Sequence, residues 1–286
     1  METELFMKKE MTKKDWSESP LYQANQTLIS SSNFTQTLKK LGIKRGDIIF
    51  VHSDTSSFGR IVSEDRNFFY DSFITILKDV VGETGTIIMP TFTYSFTQDK
   101  IFDVNNSPST VGALTEYFRK LPDVVRTIEP MLSATIWGKR KQYFSEVGNE
   151  SFGRGSIFHK LHDLKGKILL FGTRSCTFFH YIEKMHGVPY RFDKKISGRI
   201  RYQGRTTQSK NIYFARRLNR KNVSHFSIAA RDLEEQGLFK KIKIGHSAIA
   251  SVRSDILFNE VYNTLDRDPY YYLNSDLNDR EEKTLT

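Results

Sequence analysis

Thr177, His180 and Glu183 stand at three-residue intervals in CTFFHYIE, just after the apolar run ILLFG ends at Gly172. On a helix beginning near Thr177, residues three apart lie about 60° from each other around the axis, so His180 and Glu183 share a face. Those residue types suit proton transfer. A glutamate that accepts the N–H of one ring nitrogen sets the tautomer and leaves the other nitrogen free to take a proton. Thr177 either caps the helix or donates to a substrate oxygen. Such a pair also arises by chance on helix surfaces, so the spacing alone does not decide. Cys176, the chain's one cysteine, offers an acyl-accepting thiol beside His180, but a lone cysteine is more often a small buried apolar residue. No metal is implied: His186 lies about 120° from His180 round the helix, and HYIEKMH matches neither HExxH nor HxxEH. His159 and His162 share the same spacing in SIFHKLHDL without a carboxylate placed to orient either.

The elements that must position these residues alternate along the chain. FTQTLKKLGI reads as helix and IIFVHS as a buried strand. The helix NFFYDSFITILKDVVG and the strand GTIIMPTFT follow, then the helix TVGALTEYFRKL, the strand SATIWG, the helix SIFHKLHDL and the strand KILLFG. This order predicts an α/β sheet covered by helices on both faces. Three strand-to-helix joins, VHSDTSSFG, MPTFTYSF and FGTRSCTFFH, have the form of ligand-binding loops, although Ser, Thr and Gly are common at any such join. After Pro189 the pattern changes to an antiparallel hairpin about a turn at Gly204, then a helix, two short strands and a last helix. The simplest division is an N-terminal arm or peripheral helix over 1–30, one domain over 31–275 with a basic hairpin at about 190–220, and a polar tail over 276–286.

Composition limits the classes. The 286-residue chain can bury a large core without disulfides, and its 22 Phe and 13 Tyr predict aromatic walls in core and pocket. One cysteine excludes an internal disulfide framework, and no stretch has the apolar length of a signal or membrane segment, so a cytoplasmic protein is expected, with no membrane insertion. The excess of 43 Lys and Arg over 33 Asp and Glu, net +10, favours an anionic partner. Many cations lie between Lys194 and Lys221 with no acid among them. A solvated charged hairpin explains that as well as phosphate binding does.

Taken together, LGIKRGDIIFVHSDTSSFG, GTIIMPTFTYSF, FDVNNSPSTVGALTEYFRKLPDVVRT, WGKR, FGRGSIFHKLHDLKGKILLFG and CTFFHYIE resemble the aminoglycoside 3-N-acetyltransferase family, in order and at family spacing from about residue 35 to 270. The resemblance implies a three-layer α/β/α sandwich with a central mixed sheet, the antiparallel hairpin being additional. It also implies acetyl transfer from acetyl-CoA to a primary amine by direct attack, without an acyl-enzyme. It makes His180 the general base, with Glu183 and Thr177 beside it. It places His52, Ser53, Ser56, Ser57, Phe58 and Gly59 at the cofactor, with Thr91, Ser109, Thr110 and Val111. Asp54, Tyr94, Glu129, Arg199, Arg201 and Arg216 are the expected acceptor contacts, and no metal is expected.

The sequence departs from the family at EPMLS, where Glu129 and Leu132 replace expected histidines. With FDVNNSPSTVG and DRDPYYYL, this resembles members tied to surface-polysaccharide synthesis. A nucleotide-linked amino sugar is then the expected acceptor, its phosphates meeting the basic hairpin. An aminoglycoside antibiotic is the alternative, and a basic nucleic-acid-binding protein or an idle CoA-binding relative are the readings from other classes.

Overall fold

The computed structural model describes residues 17–217 and 223–273. The tail expected at 276–286, the first half of the expected arm and the end of the hairpin segment lie outside them.

IIFVHS forms the central strand β3 (Ile48–Ser53). Alternate side chains point to opposite faces, Ile49 and Val51 to one and Phe50 and His52 to the other, and all four are buried. β5 (Thr86–Pro90) and β9 (Lys167–Phe171) flank β3 in parallel. Beyond β9 the sheet continues antiparallel through β13 (Ser247–Arg253) and β12 (Lys240–Ile244), and beyond β5 through β8 (Ala134–Gly138) and β7 (Val125–Arg126). The continuous apolar runs of β3, β5 and β9 are what strands covered on both faces require.

Helices cover both faces. On the Ile49 side, α1 (Ser31–Lys40), α2 (Arg66–Val81) and α3 (Ala113–Arg119) contribute Phe34, Phe73 and Leu114 to one cluster. On the Phe50 side lie α4 (Lys141–Ser145), α5 (Ile157–Asp163), α6 (Phe178–His186), α7 (Phe226–Glu235) and α8 (Ser254–Arg267). Their Phe158, Phe178, Ile228 and Leu257 form a second cluster. The result is a three-layer α/β/α sandwich. Ser53 pairs with Phe171 and Phe50 with Ile88, so the carboxyl ends of β3, β9 and β5 reach one edge of the sheet, where ligands collect in such folds.

The hairpin is a separate ribbon of β10 (Arg191–Tyr202) and β11 (Arg205–Arg216), and β6 (Phe102–Asp103) pairs in parallel with β10 at Ile200 and Arg201. Gln203 and Gly204 both have positive φ, as a two-residue type I′ turn demands.

Residues 20–30 depart from the expected arm or helix. They form β1 (Pro20–Ala24) and β2 (Thr27–Ser30), paired antiparallel, with β4 (Arg60–Ile61) beside β1. Tyr22 is fully buried among Phe34, Phe58, Phe69 and Phe73, and its hydroxyl donates to the Thr55 carbonyl at 2.6 Å. Four apolar side chains, Leu21, Tyr22, Ala24 and Ile29, anchor a segment whose overall polarity concealed them. MPTFTYSF also departs from a strand-to-helix join, because only the 3-10 turn Ser95–Thr97 follows β5 there. Among the described residues, no helix is long and apolar enough to cross a membrane, and no group of three or more His, Cys, Asp and Glu side chains is placed to hold a metal ion.

Candidate active site

β9 delivers the chain to Gly172, whose φ of 74° turns it against the 54–57 loop; a Cβ there would collide with the Asp54 carbonyl oxygen. Residues 173–177 then lead into α6, which ends at Gly187 with φ of 80°, a left-handed cap that glycine adopts without strain. The helix buries Phe178, Phe179, Tyr181 and Ile182, and those contacts carry Glu183 into the interior with them.

His180 Nδ1 stands 2.7 Å from Glu183 Oε2. Arg191, absent from the sequence reading, completes the cluster: its Nε lies 2.8 Å from the same carboxylate oxygen and its Nη2 lies 2.9 Å from His180 Nδ1. One ring nitrogen cannot serve both neighbours. If Arg191 donated to Nδ1, the ring proton would sit on Nε2 and no basic nitrogen would remain on the outer side. The shorter contact, to a charged acceptor, assigns the proton to Nδ1 and leaves Nε2 free to accept one. Tyr190 Oη donates to Glu183 Oε1 at 2.8 Å. Burial pushes the Glu183 carboxyl up, but its hydrogen bond to His180, the positive charge that ring carries once protonated and the Arg191 guanidinium together outweigh that and hold it below the ordinary carboxylate range. Burial, with the Glu183 charge, drives the Tyr190 phenol well above its ordinary value, so it remains a donor.

A cavity of about 530 Å³ opens beside this cluster, lined by Arg174–Thr177, Phe179 and His180 on one side and Ser224–Ser227 on the other. That volume is in the range of small-molecule sites. Thr177 is half-buried at its wall and makes no side-chain cap, so its hydroxyl is available. Cys176 also lines the cavity, but burial pushes its thiol up to about 12, which suits a bystander rather than a nucleophile.

The loop after β3 leads into β4 rather than directly into a helix, and its residues divide between surface and interior. Ser53, Ser56 and Ser57 keep surface exposure, with Ser56 Oγ donating to Asp54 Oδ1 at 2.6 Å and Ser57 Oγ to the Asp54 carbonyl at 2.9 Å. Asp54 therefore shapes the loop. Gly59 passes so close to β1 that a Cβ would lie 2.6 Å from the Gln23 carbonyl oxygen. Phe58 faces inward and is enclosed by Tyr22, Phe34 and Phe171; it supports the loop from below instead of meeting a cofactor. His52 is also turned inward. Burial lowers it to about 3, so it is neutral, and its Nε2 accepts the Thr177 N–H at 3.3 Å, tying β3 to the start of α6.

Thr91 is fully buried, its hydroxyl bonded to the Ser133 carbonyl and the Thr135 hydroxyl at 3.2 Å each, and cannot reach a cofactor. Ser109, Thr110 and Val111 form a turn held by Glu116 and the Phe92 carbonyl, and a Cβ on Gly112 would lie 3.8 Å from the Ser53 carbonyl oxygen, which puts this turn beside the β3 loop. Tyr94 is half-buried, with φ of 51°; burial, Tyr213 and Glu129 raise its phenol to about 12. Glu129 is not an acceptor contact. It is buried and accepts from Ser151, Asn211, Met131 N and Leu132 N, clamping the EPMLS turn to the ribbon; burial still pushes its carboxyl up against those four donors. Arg199, Arg201 and Arg216 are exposed and share one face of the ribbon.

A sequence profile for the aminoglycoside 3-N-acetyltransferase family matches residues 50–266, spanning the sheet, the ribbon and the cavity. The chain belongs to that family. Within it, aminoglycoside N(3)-acetyltransferase IV of Salmonella is 28% identical over 241 residues, which cover 82% of this chain and 87% of that protein. The SPbeta prophage-derived aminoglycoside N(3′)-acetyltransferase-like protein YokD of Bacillus subtilis is 31% identical over 188 residues, 57% of this chain and 66% of that one. A solved coenzyme A complex of the acetyltransferase AAC-IIIb superposes with a TM-score of 0.72 at 21% identity, covering 84% of this chain and 97% of that chain.

As a member of the family the chain is a CoA-dependent acyltransferase, with acetyl-CoA as its acetyl donor. The β3 loop keeps Ser53, Ser56 and Ser57 at the surface and the 107–112 turn lies beside it, while His180 borders the cavity.

Proposed function

We propose that this member of the family acetylates a primary amine of an aminoglycoside acceptor, with His180 as general base. Acetyl-CoA supplies the activated acyl group, whose C–S bond breaks as the new C–N bond forms. His180 takes the amine proton at Nε2 and later returns it to the departing sulfur. Glu183 steadies the ring through Nδ1, and the Thr177 hydroxyl donates to the oxygen on which negative charge develops. The single observation that carries this reading is the 2.7 Å contact between His180 Nδ1 and the fully buried Glu183, which turns Nε2 to the accessible side.

The relatives matched over most of the chain carry aminoglycoside acetyltransferase names, which supports the antibiotic over the nucleotide-linked amino sugar of a surface polysaccharide. The departure at EPMLS, which favoured the sugar, loses force because Glu129 is a buried clamp and does not line the cavity. An acceptor panel with acetyl-CoA, followed by thiol release, tests the assignment: aminoglycosides should be preferred over nucleotide-linked amino sugars, and the reverse order refutes the acceptor. His180→Ala should fold, bind CoA and lose about 10²–10⁴-fold in turnover; near-normal turnover refutes the base.

A further inference from the structure

The ribbon carries charge that acid–base chemistry leaves unused. From Arg191 to Arg217 there are nine lysines and arginines and one acid, Asp193, a net of +8 in a chain whose total is +10. The pairing register sorts these side chains. Arg191, Asp193, Lys195, Arg199 and Arg201 alternate along one face of β10, and Arg216, Phe214 and Lys210 join them from β11, opposite Arg191, Asp193 and Ser197. The other face packs Ile196, Ile200 and Asn211 into the core.

The cationic face starts at the catalytic cluster, where Arg191 touches Glu183 and His180, and runs outward through Lys195, Lys210, Arg199 and Arg201, all exposed. Nearby acids are engaged: Asp193 pairs with Lys184, and Asp103 lies 3.8 Å from Arg201. At its outer end the ribbon is joined to β6, from which the chain continues into the 107–112 turn beside Ser53.

Charge decides which co-substrate such a face serves. An aminoglycoside is a polycation and would be repelled by it, whereas the nucleotide end of CoA carries three phosphate groups. We propose that the outer face of the ribbon binds the phosphates of the CoA nucleotide, with Lys195, Arg199 and Lys210 as the principal contacts. Same-face residues two apart on a strand stand about 7 Å from one another, so neighbouring cations can meet separate phosphates of one nucleotide. The arginine fork adds paired N–H donors that suit a phosphate oxygen. The proposal rests on CoA as the donor and is independent of the role given to His180.

Calorimetric titration of CoA, dephospho-CoA and pantetheine into the wild-type protein and into K195Q/R199Q/K210Q tests it without reference to turnover. The substitutions should weaken CoA about tenfold, dephospho-CoA less, and pantetheine not at all. Raising salt from about 50 to 200 mM should weaken wild-type binding of CoA and leave pantetheine unchanged. Equal weakening of CoA and pantetheine overturns the proposal, as does unchanged CoA binding. Weakening confined to a nucleotide-linked amino sugar, with CoA unaffected, assigns the face to a phosphorylated acceptor and overturns it too. If the triple variant does not fold, R199Q and the wild-type salt comparison decide by the same criteria. Loss of turnover in His180→Ala stands or falls separately.

Discussion

Glu183 is a buried anion, and its neighbours His180, Tyr190 and Arg191 determine what each substitution does. Arg191→Met removes the cation from a pair in which both side chains are almost wholly enclosed, leaving the carboxylate uncompensated. The expected cost is about 3 kcal/mol in denaturant unfolding. The pH dependence follows from the direction of the shift. A carboxyl held below its ordinary value contributes stability above that value and loses it as pH falls through the lowered one. Without Arg191 the loss should move to higher pH, and an unmoved acid limb in the variant would contradict the role given to the guanidinium. Cys176 provides the contrasting case. With its thiol raised to about 12, only a very small fraction is thiolate at pH 8. Iodoacetamide should modify it far more slowly than a free thiol, and Cys176→Ala should keep its activity; a trapped acetyl group on Cys176 would reverse the ranking of base over nucleophile.

At the scale of elements, the small sheet of β1, β2 and β4 tests whether the N-terminal segment belongs to the fold. Tyr22→Ala should cost about 3 kcal/mol and lower the Tm by roughly 10 °C, because four phenylalanine rings lose a common partner. A melting temperature within a degree or two of wild type would make the segment dispensable. The reasons this segment was illegible are instructive. IIFVHS and KILLFG announce buried strands because their apolar runs need no knowledge of neighbours, whereas in PLYQA the buried Leu21, Tyr22 and Ala24 are interrupted by a polar residue and form no such run. The His180–Glu183 pair was legible because both residues sit on one helix, at a fixed angle. Arg191 was not, since it reaches them from a different element across eleven residues of chain, one cation among many. Phe58 and Thr91 were misplaced for a related reason: a motif locates a loop, but which way each side chain turns depends on what packs beneath it.

At the scale of the molecule, two apolar clusters lie on opposite faces of one sheet, and β3 supplies both, Phe50 to one and Ile49 and Val51 to the other. Neither cluster can lose its strand without exposing the other, which supports a single cooperative domain. Calorimetry should show one transition with equal calorimetric and van't Hoff enthalpies, and two resolved transitions would refute the single domain. The Asp54–Gly59 loop occupies a special position in that whole. It is wedged between three other backbones: Gly59 against the Gln23 carbonyl, Gly172 against Asp54, and Gly245 against the Phe58 carbonyl, with no room for a β-carbon at any of them. A loop held so tightly keeps one shape whether or not a ligand is present, which would lower the entropy lost if it binds the proposed donor. It is also poor ground for innovation. The half-exposed 223–227 segment across the cavity has no glycine pressed against another backbone and so has more room to vary.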